Sequence, residues 1–150
     1  MKQYTVAIVG ATGAVGTQML QCLEEQEFPV GELKLLASPR SAGKKVETPW
    51  GEVVIEAAAP ECFDDVDIVL GAAEDDVAKA LYPEAVRRGA VVVDNSHAFR
   101  LDEGVPLVVP EINAGDIASH HGIIANPNCA TIIGLVPTWP QIGRASCRER

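Results

Sequence analysis

Tyr4-Thr5-Val6-Ala7-Ile8-Val9-Gly10-Ala11-Thr12-Gly13-Ala14-Val15-Gly16 begins as a β-branched apolar run and stops at a glycine turn. Behind the turn, Ala14 to Glu25 carries Val15, Met19, Leu20 and Leu23 at helical spacing, so the stretch reads as strand, tight turn and helix. The three glycines fall where a dinucleotide would need them. Gly10 permits the turn, Gly13 lets backbone approach a pyrophosphate, and Gly16 lets the helix lie close to the sheet. The anion would rest on the free amides of the helix N-terminus. A glycine-rich turn that serves packing alone is the competing reading.

The rest of the chain extends this pattern. Leu33 to Ala37 is a second apolar run closed by Ser38-Pro39. Lys44–Thr48 and Glu52–Ala57 read as a hairpin insert hinged at Pro49-Trp50-Gly51. Val66 to Leu70 is a third buried strand, and Glu74-Asp75-Asp76 opens a helix, where acids favour the dipole. That helix is expected to reach Arg88, with Val77, Leu81 and Val86 inward and Gly89 as its stop. Ala90 to Val93 is a fourth strand. Strands alternating with helices imply an α/β fold, a Rossmann-like doubly wound, mostly parallel sheet.

Composition fits that class. The chain has 150 residues, 47% of them hydrophobic, 22% charged and 5% aromatic. The core must therefore rest on Val, Ile, Leu and Ala, the usual filling of a parallel sheet covered by helices. A net charge of −9 argues against a nucleic-acid partner. The apolar start breaks at Gly10, too early for an export signal, and no stretch is long enough for a membrane span. Cys22, Cys62, Cys129 and Cys147 are scattered without CxxC, which reads as free thiols in a reducing, cytoplasmic setting with no metal implied.

Three positions carry candidate chemistry. The end of the second strand, Leu36-Ala37-Ser38-Pro39-Arg40-Ser41, holds no acid for a ribose 2′-hydroxyl and one arginine. Arg40, with Ser38 and Ser41 as hydroxyl donors, suits a 2′-phosphate and hence NADP; a solvated surface arginine is the alternative. Asp94-Asn95-Ser96-His97-Ala98-Phe99-Arg100 follows the fourth strand at the carboxyl edge, where open α/β sheets bind ligands. Arg100 is a candidate oxyanion clamp or a surface ion pair with Asp102. In Ala125-Asn126-Pro127-Asn128-Cys129-Ala130-Thr131, Cys129 stands at an expected helix start. Amide dipoles at such a place favour a thiolate, whereas an inert buried thiol is the reading for Cys22 and Cys62.

Taken together, Gly10–Gly16, Asp94–Arg100 with Val105-Pro106-Leu107-Val108-Val109-Pro110-Glu111-Ile112-Asn113, and Asn126–Thr131 resemble aspartate-semialdehyde dehydrogenase, almost from the N-terminus to about Gly134. The resemblance implies interconversion of L-aspartate 4-semialdehyde, phosphate and NADP with 4-aspartyl phosphate and NADPH, towards lysine, threonine, methionine and diaminopimelate. It implies that Cys129 forms a thioester and that Asn128 helps to place the substrate. Thr12, Gly13, Ala14, Val15, Arg40 and Ser41 would hold NADP, and Arg100 with Asn95 would meet the substrate phosphate. It further implies a homodimer or dimer of dimers for the full-length protein. Two departures stand out: His97 occupies a serine position, and Gly71-Ala72-Ala73-Glu74 replaces a serine-alanine-glycine stretch. N-acetyl-glutamyl-phosphate reductase shares the chemistry but surrounds its cysteine with glycine, tyrosine and proline, where this chain has Asn128 and Ala130. A non-catalytic NADP-binding module is the rival of another class.

The expected organisation is an NADP-binding domain over residues 1–134 and the start of a second part over 135–140. Residues 141–150 read as a non-native tail resembling a translated adapter, holding three of the twelve basic residues. The second, α+β domain for substrate and dimerisation, with the general-base histidine, would then be absent. The expectation is that this chain binds NADP weakly without turnover.

Overall fold

A computed structural model describes residues 2–145. Cys147 and the rest of 146–150 lie outside the described residues. Seven strands form one sheet in the order β3-β4-β2-β1-β5-β6-β7. The strands are β1 (Tyr4–Val9), β2 (Val30–Ala37), β3 (Lys45–Thr48), β4 (Gly51–Ala57), β5 (Ile68–Gly71), β6 (Val91–Asp94) and β7 (Ile123–Ala125). Helices α1 (Ala14–Glu25) and α2 (Asp75–Arg87) cross between parallel neighbours. A short α3 (Pro110–Asn113) precedes β7, and α4 (Cys129–Ala145) follows it. All pairings are parallel except β3 with β4. Among the described residues no helix is long and apolar enough to cross a membrane.

Alternation along the central strands sorts the core into two layers. Val6, Ile8, Leu33 and Leu35 face α1 and its Leu23. Ala7, Val9, Leu36, Val69 and Val92 face α2 through Ala78, Leu81, Tyr82 and Ala85, with Phe63 and Phe99 at the margins. Burial of these residues supplies most of the driving force, at roughly 25 cal/mol per Å² of apolar surface.

Several expectations need correction. The expected hairpin insert is half right. Lys45–Thr48 and Gly51–Ala57 do pair antiparallel around a Pro49-Trp50 turn. Yet β4 also runs parallel to β2, with Leu35 opposite Ile55, so it extends the main sheet. The second strand starts at Val30 because the ladder to β1 begins there, opposite Tyr4; Gly31 and Glu32 hid that start. The third strand begins at Ile68, since the Asp67 carboxylate accepts the Thr5 amide at 2.9 Å and closes the entry. The fourth ends at Asp94, whose backbone pairs opposite Gly71. In α2, Val77 points outward, 41% exposed, and Val86 is half-buried. Leu81 does face inward as expected, and Ala78, Tyr82 and Ala85 take the other inward places. Gly89 does stop the helix, at φ +94°.

Tyr82 is fully buried, and its hydroxyl finds no hydrogen-bond partner among the described residues. Burial, and secondly the Asp94 carboxylate, push its ionisation well above the ordinary tyrosine range; the Ala73 amide, which falls short of hydrogen-bond geometry, offsets this only in part. A native pKa above the unfolded one means that stability is full below about pH 10 and falls as pH rises further. Tyr82→Phe is expected to raise stability by about 1 kcal/mol at neutral pH, by removing an unpartnered buried hydroxyl. It should also flatten the alkaline decline. Urea titrations at pH 7 and pH 11 check both, and a destabilised phenylalanine variant would show that the hydroxyl has a partner.

Candidate active site

The glycine turn is held by the sheet itself. The Gly10 and Ala11 amides both donate to the Leu36 carbonyl, at 2.8 and 3.1 Å, and the Gly13 amide donates back to Gly10. Gly10 sits at φ +85°, and a Cβ there would stand 2.6 Å from the Ala72 carbonyl oxygen. A Cβ at Gly16 would collide with the Gly10 carbonyl and lie 2.8 Å from the Ala11 Cα. Gly13 is different: its Cβ would meet only the Gly10 oxygen, at 3.4 Å. Helical bonding starts with the Thr17 amide on the Gly13 carbonyl, so the amides of Ala14, Val15 and Gly16 stand ahead of it as the helix's open donors. Thr12, Ala14 and Val15 are exposed around this mouth.

Two clefts flank the turn. One is apolar, lined by Val9, Ala37, Pro39, Ala58, Val77 and Leu81, with Gly10 and Ser38 at its edge. Its size and lining suit a planar base, and the outward Val77 is what closes its side. Beside it, Pro39–Ser41 forms one 3-10 turn. Ser38 and Arg40 are exposed there, whereas Ser41 is 8% exposed and faces inward. Of the three residues expected to meet a 2′-phosphate, two present themselves to solvent.

The second cleft lies between Val15, Ala73, Glu74, Asn95, Ser96 and His97. Asp94, the last residue of β6 and next to this lining in the chain, is fully buried. Asp94 accepts the Ser96 amide at 2.8 Å and the Ser96 hydroxyl at 2.7 Å. The Asn95 amide donates to the Gly71 carbonyl at 3.0 Å. His97, at the position where serine was expected, donates its amide to Asp75 at 2.9 Å, and its ring nitrogen Nδ1 lies 3.4 Å from the same carboxylate. The Asn95–His97 loop is thus fixed from beneath by an acid that composition and periodicity did not single out.

Arg100 forms no ion pair with Asp102 among the described residues. Its Nε donates to the Asn126 carbonyl at 2.8 Å and its Nη2 to the Asn95 carbonyl at 3.0 Å. The Asn126 side-chain amide donates to Asn95 Oδ1 at 2.7 Å. Asn95, Arg100 and Asn126 therefore form one cluster, which joins the cleft loop to the segment leading into α4. The sequence marks Asn126 only as the start of the segment before Cys129, because its partners lie 26 and 31 positions away.

Cys129 is exposed at the first position of α4. Asn128 Oδ1 accepts the Ala130 amide at 2.9 Å and lies 3.9 Å from the Cys129 sulfur, so Asn128 caps the helix that presents the thiol. Cys62 is half-buried, and its thiol donates to the Ala57 carbonyl at 3.4 Å. Cys22 is exposed on α1, contrary to expectation, because the apolar side of α1 around Val15 and Met19 is only partly covered. No group of three or more metal-ligating side chains occurs among the described residues.

Residues 5–120 match the family model described as semialdehyde dehydrogenase, NAD binding domain. The chain is 57% identical over 127 residues to aspartate-semialdehyde dehydrogenase of Bacillus subtilis strain 168, a match spanning 85% of this chain and 37% of that protein. Aspartate semialdehyde dehydrogenase II from Vibrio cholerae, solved in complex with ASA, superposes with a TM-score of 0.88 at 46% identity, over 91% of this chain and 45% of the other. Aspartate semialdehyde dehydrogenase with NADP from Candida albicans superposes at 0.74 and 27% identity, over 95% of this chain and 48% of the other. The chain spans about two fifths of the length of the curated relatives it matches.

Proposed function

Because this chain belongs to the semialdehyde dehydrogenase family, as its NAD-binding domain, we propose that it is the cofactor-binding and thiol-bearing portion of an NADP-dependent, phosphorylating aspartate-semialdehyde dehydrogenase. A second domain would supply the general-base histidine and the dimer contacts, in a cytoplasmic enzyme feeding lysine, threonine, methionine and diaminopimelate synthesis. The observation that carries the reading is the junction of three parts. A glycine turn opens onto a cleft, the Asn95 loop lines that cleft, and Arg100 with Asn126 ties the loop to the segment that delivers Cys129.

The site fits the cofactor. Gly10 and Gly16 leave no room for a Cβ, Gly13 leaves its face open, and the apolar groove with Ser38 at its edge, followed in the chain by the exposed Arg40, suits a phosphorylated adenosine. Bound NADP would supply the hydride acceptor. The chain's own residues do the rest. Cys129, as thiolate, bonds to the aldehyde carbon while the carbonyl electron pair moves to oxygen. Loss of hydride from that carbon leaves a thioester on Cys129. A phosphate oxygen then bonds to the acyl carbon as the carbon–sulfur bond breaks, returning the thiolate and releasing the acyl phosphate. Arg100, with Nε and one Nη2 proton engaged, keeps further guanidinium protons for the phosphate. Asn128 orients the substrate beside the sulfur, and a soft nucleophile followed by a cationic clamp is what a thioester-to-phosphate exchange requires.

The test is phosphate-dependent NADPH formation by the full-length protein, compared on aspartate semialdehyde and on N-acetyl-glutamate semialdehyde. Preference for the second, or no turnover of either, would remove the assignment. Cofactor choice has its own check. Arg40→Ala is expected to raise the NADP dissociation constant about tenfold, roughly 1.4 kcal/mol, and to leave NAD within about twofold. Equal constants for NAD and NADP in the unsubstituted protein would overturn the 2′-phosphate role.

A further inference from the structure

Asn126 belongs to the β7-to-α4 connection, and only Pro127 and Asn128 separate it from Cys129. It is held at three atoms. Its amide donates to the Asp94 carbonyl at 2.8 Å, its carbonyl accepts Arg100 Nε at 2.8 Å, and its side chain donates to Asn95 Oδ1 at 2.7 Å. Pro127 is buried and its ring fixes φ, so a shift at Asn126 passes along a stiff link to the thiol. At the other end of the cluster, Asn95 lines the cleft beside the glycine turn.

We propose that Asn126 is a positioning residue for Cys129, and that its side-chain bond to Asn95, reinforced by the Arg100 guanidinium across both backbone carbonyls, sets the thiol's place relative to the cofactor cleft. The proposal rests on the dehydrogenase reading above. Neither loop reaches the other through the ladder alone beyond Asp94, so side chains must carry the registration. Two neutral amides suit the task. Either can turn over to exchange donor and acceptor. Reaction between a bound carbonyl and a sulfur tolerates little displacement, and a 1 Å misplacement costs on the order of a hundredfold in rate.

Asn126→Leu keeps the shape and removes the donor; Asn126→Asp restores a partner, because the Asn95 carboxamide can turn over and donate to it. In the full-length enzyme, Asn126→Leu is expected to lower kcat about 30-fold with KM and the NADP dissociation constant within about threefold. Asn126→Asp is expected to recover kcat to within about threefold. The double variant Asn95→Leu/Asn126→Leu should lose about tenfold less than the product of the two singles, since the second substitution has no bond left to break. An independent readout is the rate of iodoacetamide labelling of Cys129 relative to Cys22 in the same molecule, expected to fall about threefold in Asn126→Leu and to return in Asn126→Asp. A leucine variant with unchanged kcat and labelling ratio would overturn the proposal. So would an aspartate variant as poor as leucine, or a parallel loss of kcat, KM and cofactor binding, which marks a general loss of structure. If the unsubstituted enzyme turns over neither aldehyde, the dehydrogenase reading fails, and the labelling ratio still decides whether Asn126 places the thiol.

Discussion

Cys129→Ser in the full-length enzyme is expected to lower kcat about 10⁴-fold while leaving the NADP dissociation constant within about twofold. The substitution changes one atom at an exposed helix start and disturbs no packing. Asn128 still caps the helix through the Ala130 amide. What is lost is the nucleophile, since a serine hydroxyl stays protonated near neutral pH and an oxygen ester is a poorer acyl donor than a thioester. Cys22→Ser is the internal control, because that thiol is also exposed but lies on α1 beside Met19 and Leu23, and activity should be unaffected. Steady-state kinetics with an isothermal titration of NADP reads both. A Cys129→Ser enzyme retaining more than a hundredth of kcat would mean that the acyl group is not carried on this sulfur.

The second large effect separates the glycines. Gly10→Ala is expected to cost at least about 3 kcal/mol of stability, because a side chain at φ +85° is strained and its Cβ would meet the Ala72 backbone at 2.6 Å. Backbone cannot yield there as a flexible side-chain tip would, since the Ala72 amide is bonded to the Val9 carbonyl at 2.8 Å in the same ladder. Gly13→Ala should behave oppositely. With φ at −79° and only a 3.4 Å contact, the fold accepts the methyl group. That methyl group would occupy the open face proposed for the pyrophosphate, so the NADP dissociation constant should rise about tenfold or more. Thermal unfolding and cofactor titration of the two variants distinguish a steric requirement from a binding one. If Gly13→Ala bound NADP as tightly as the parent, the turn would be a packing device and the cofactor would have to lie elsewhere.

Much of the site was legible because its signals are local. The β-branched run, the spacing of three glycines and the helical period of Ala14–Glu25 lie within 22 consecutive residues, and each has a direct steric meaning. Cys129 could be picked from the sequence because a proline-bearing loop before a helical pattern places it at a helix start, and α4 does begin there. Arg100 was legible as a cation at the ligand edge, but its partners were not. Those partners are backbone carbonyls, which every residue has and no residue type advertises.

Periodicity and turn chemistry by themselves determined the class of fold, the parallel core strands and the glycine turn between the first strand and helix, since these follow from near-neighbour sterics and from which residues avoid water. Only the tertiary structure decided that β4 extends the sheet beside β2, that Ser41 turns inward while Val77 turns out, and that Asn126 meets Asn95 across 31 positions. Each of these depends on register and on the rotation of one element against another. Hydrogen bonds and packing settle them jointly over many residues, and no short stretch of sequence carries that information.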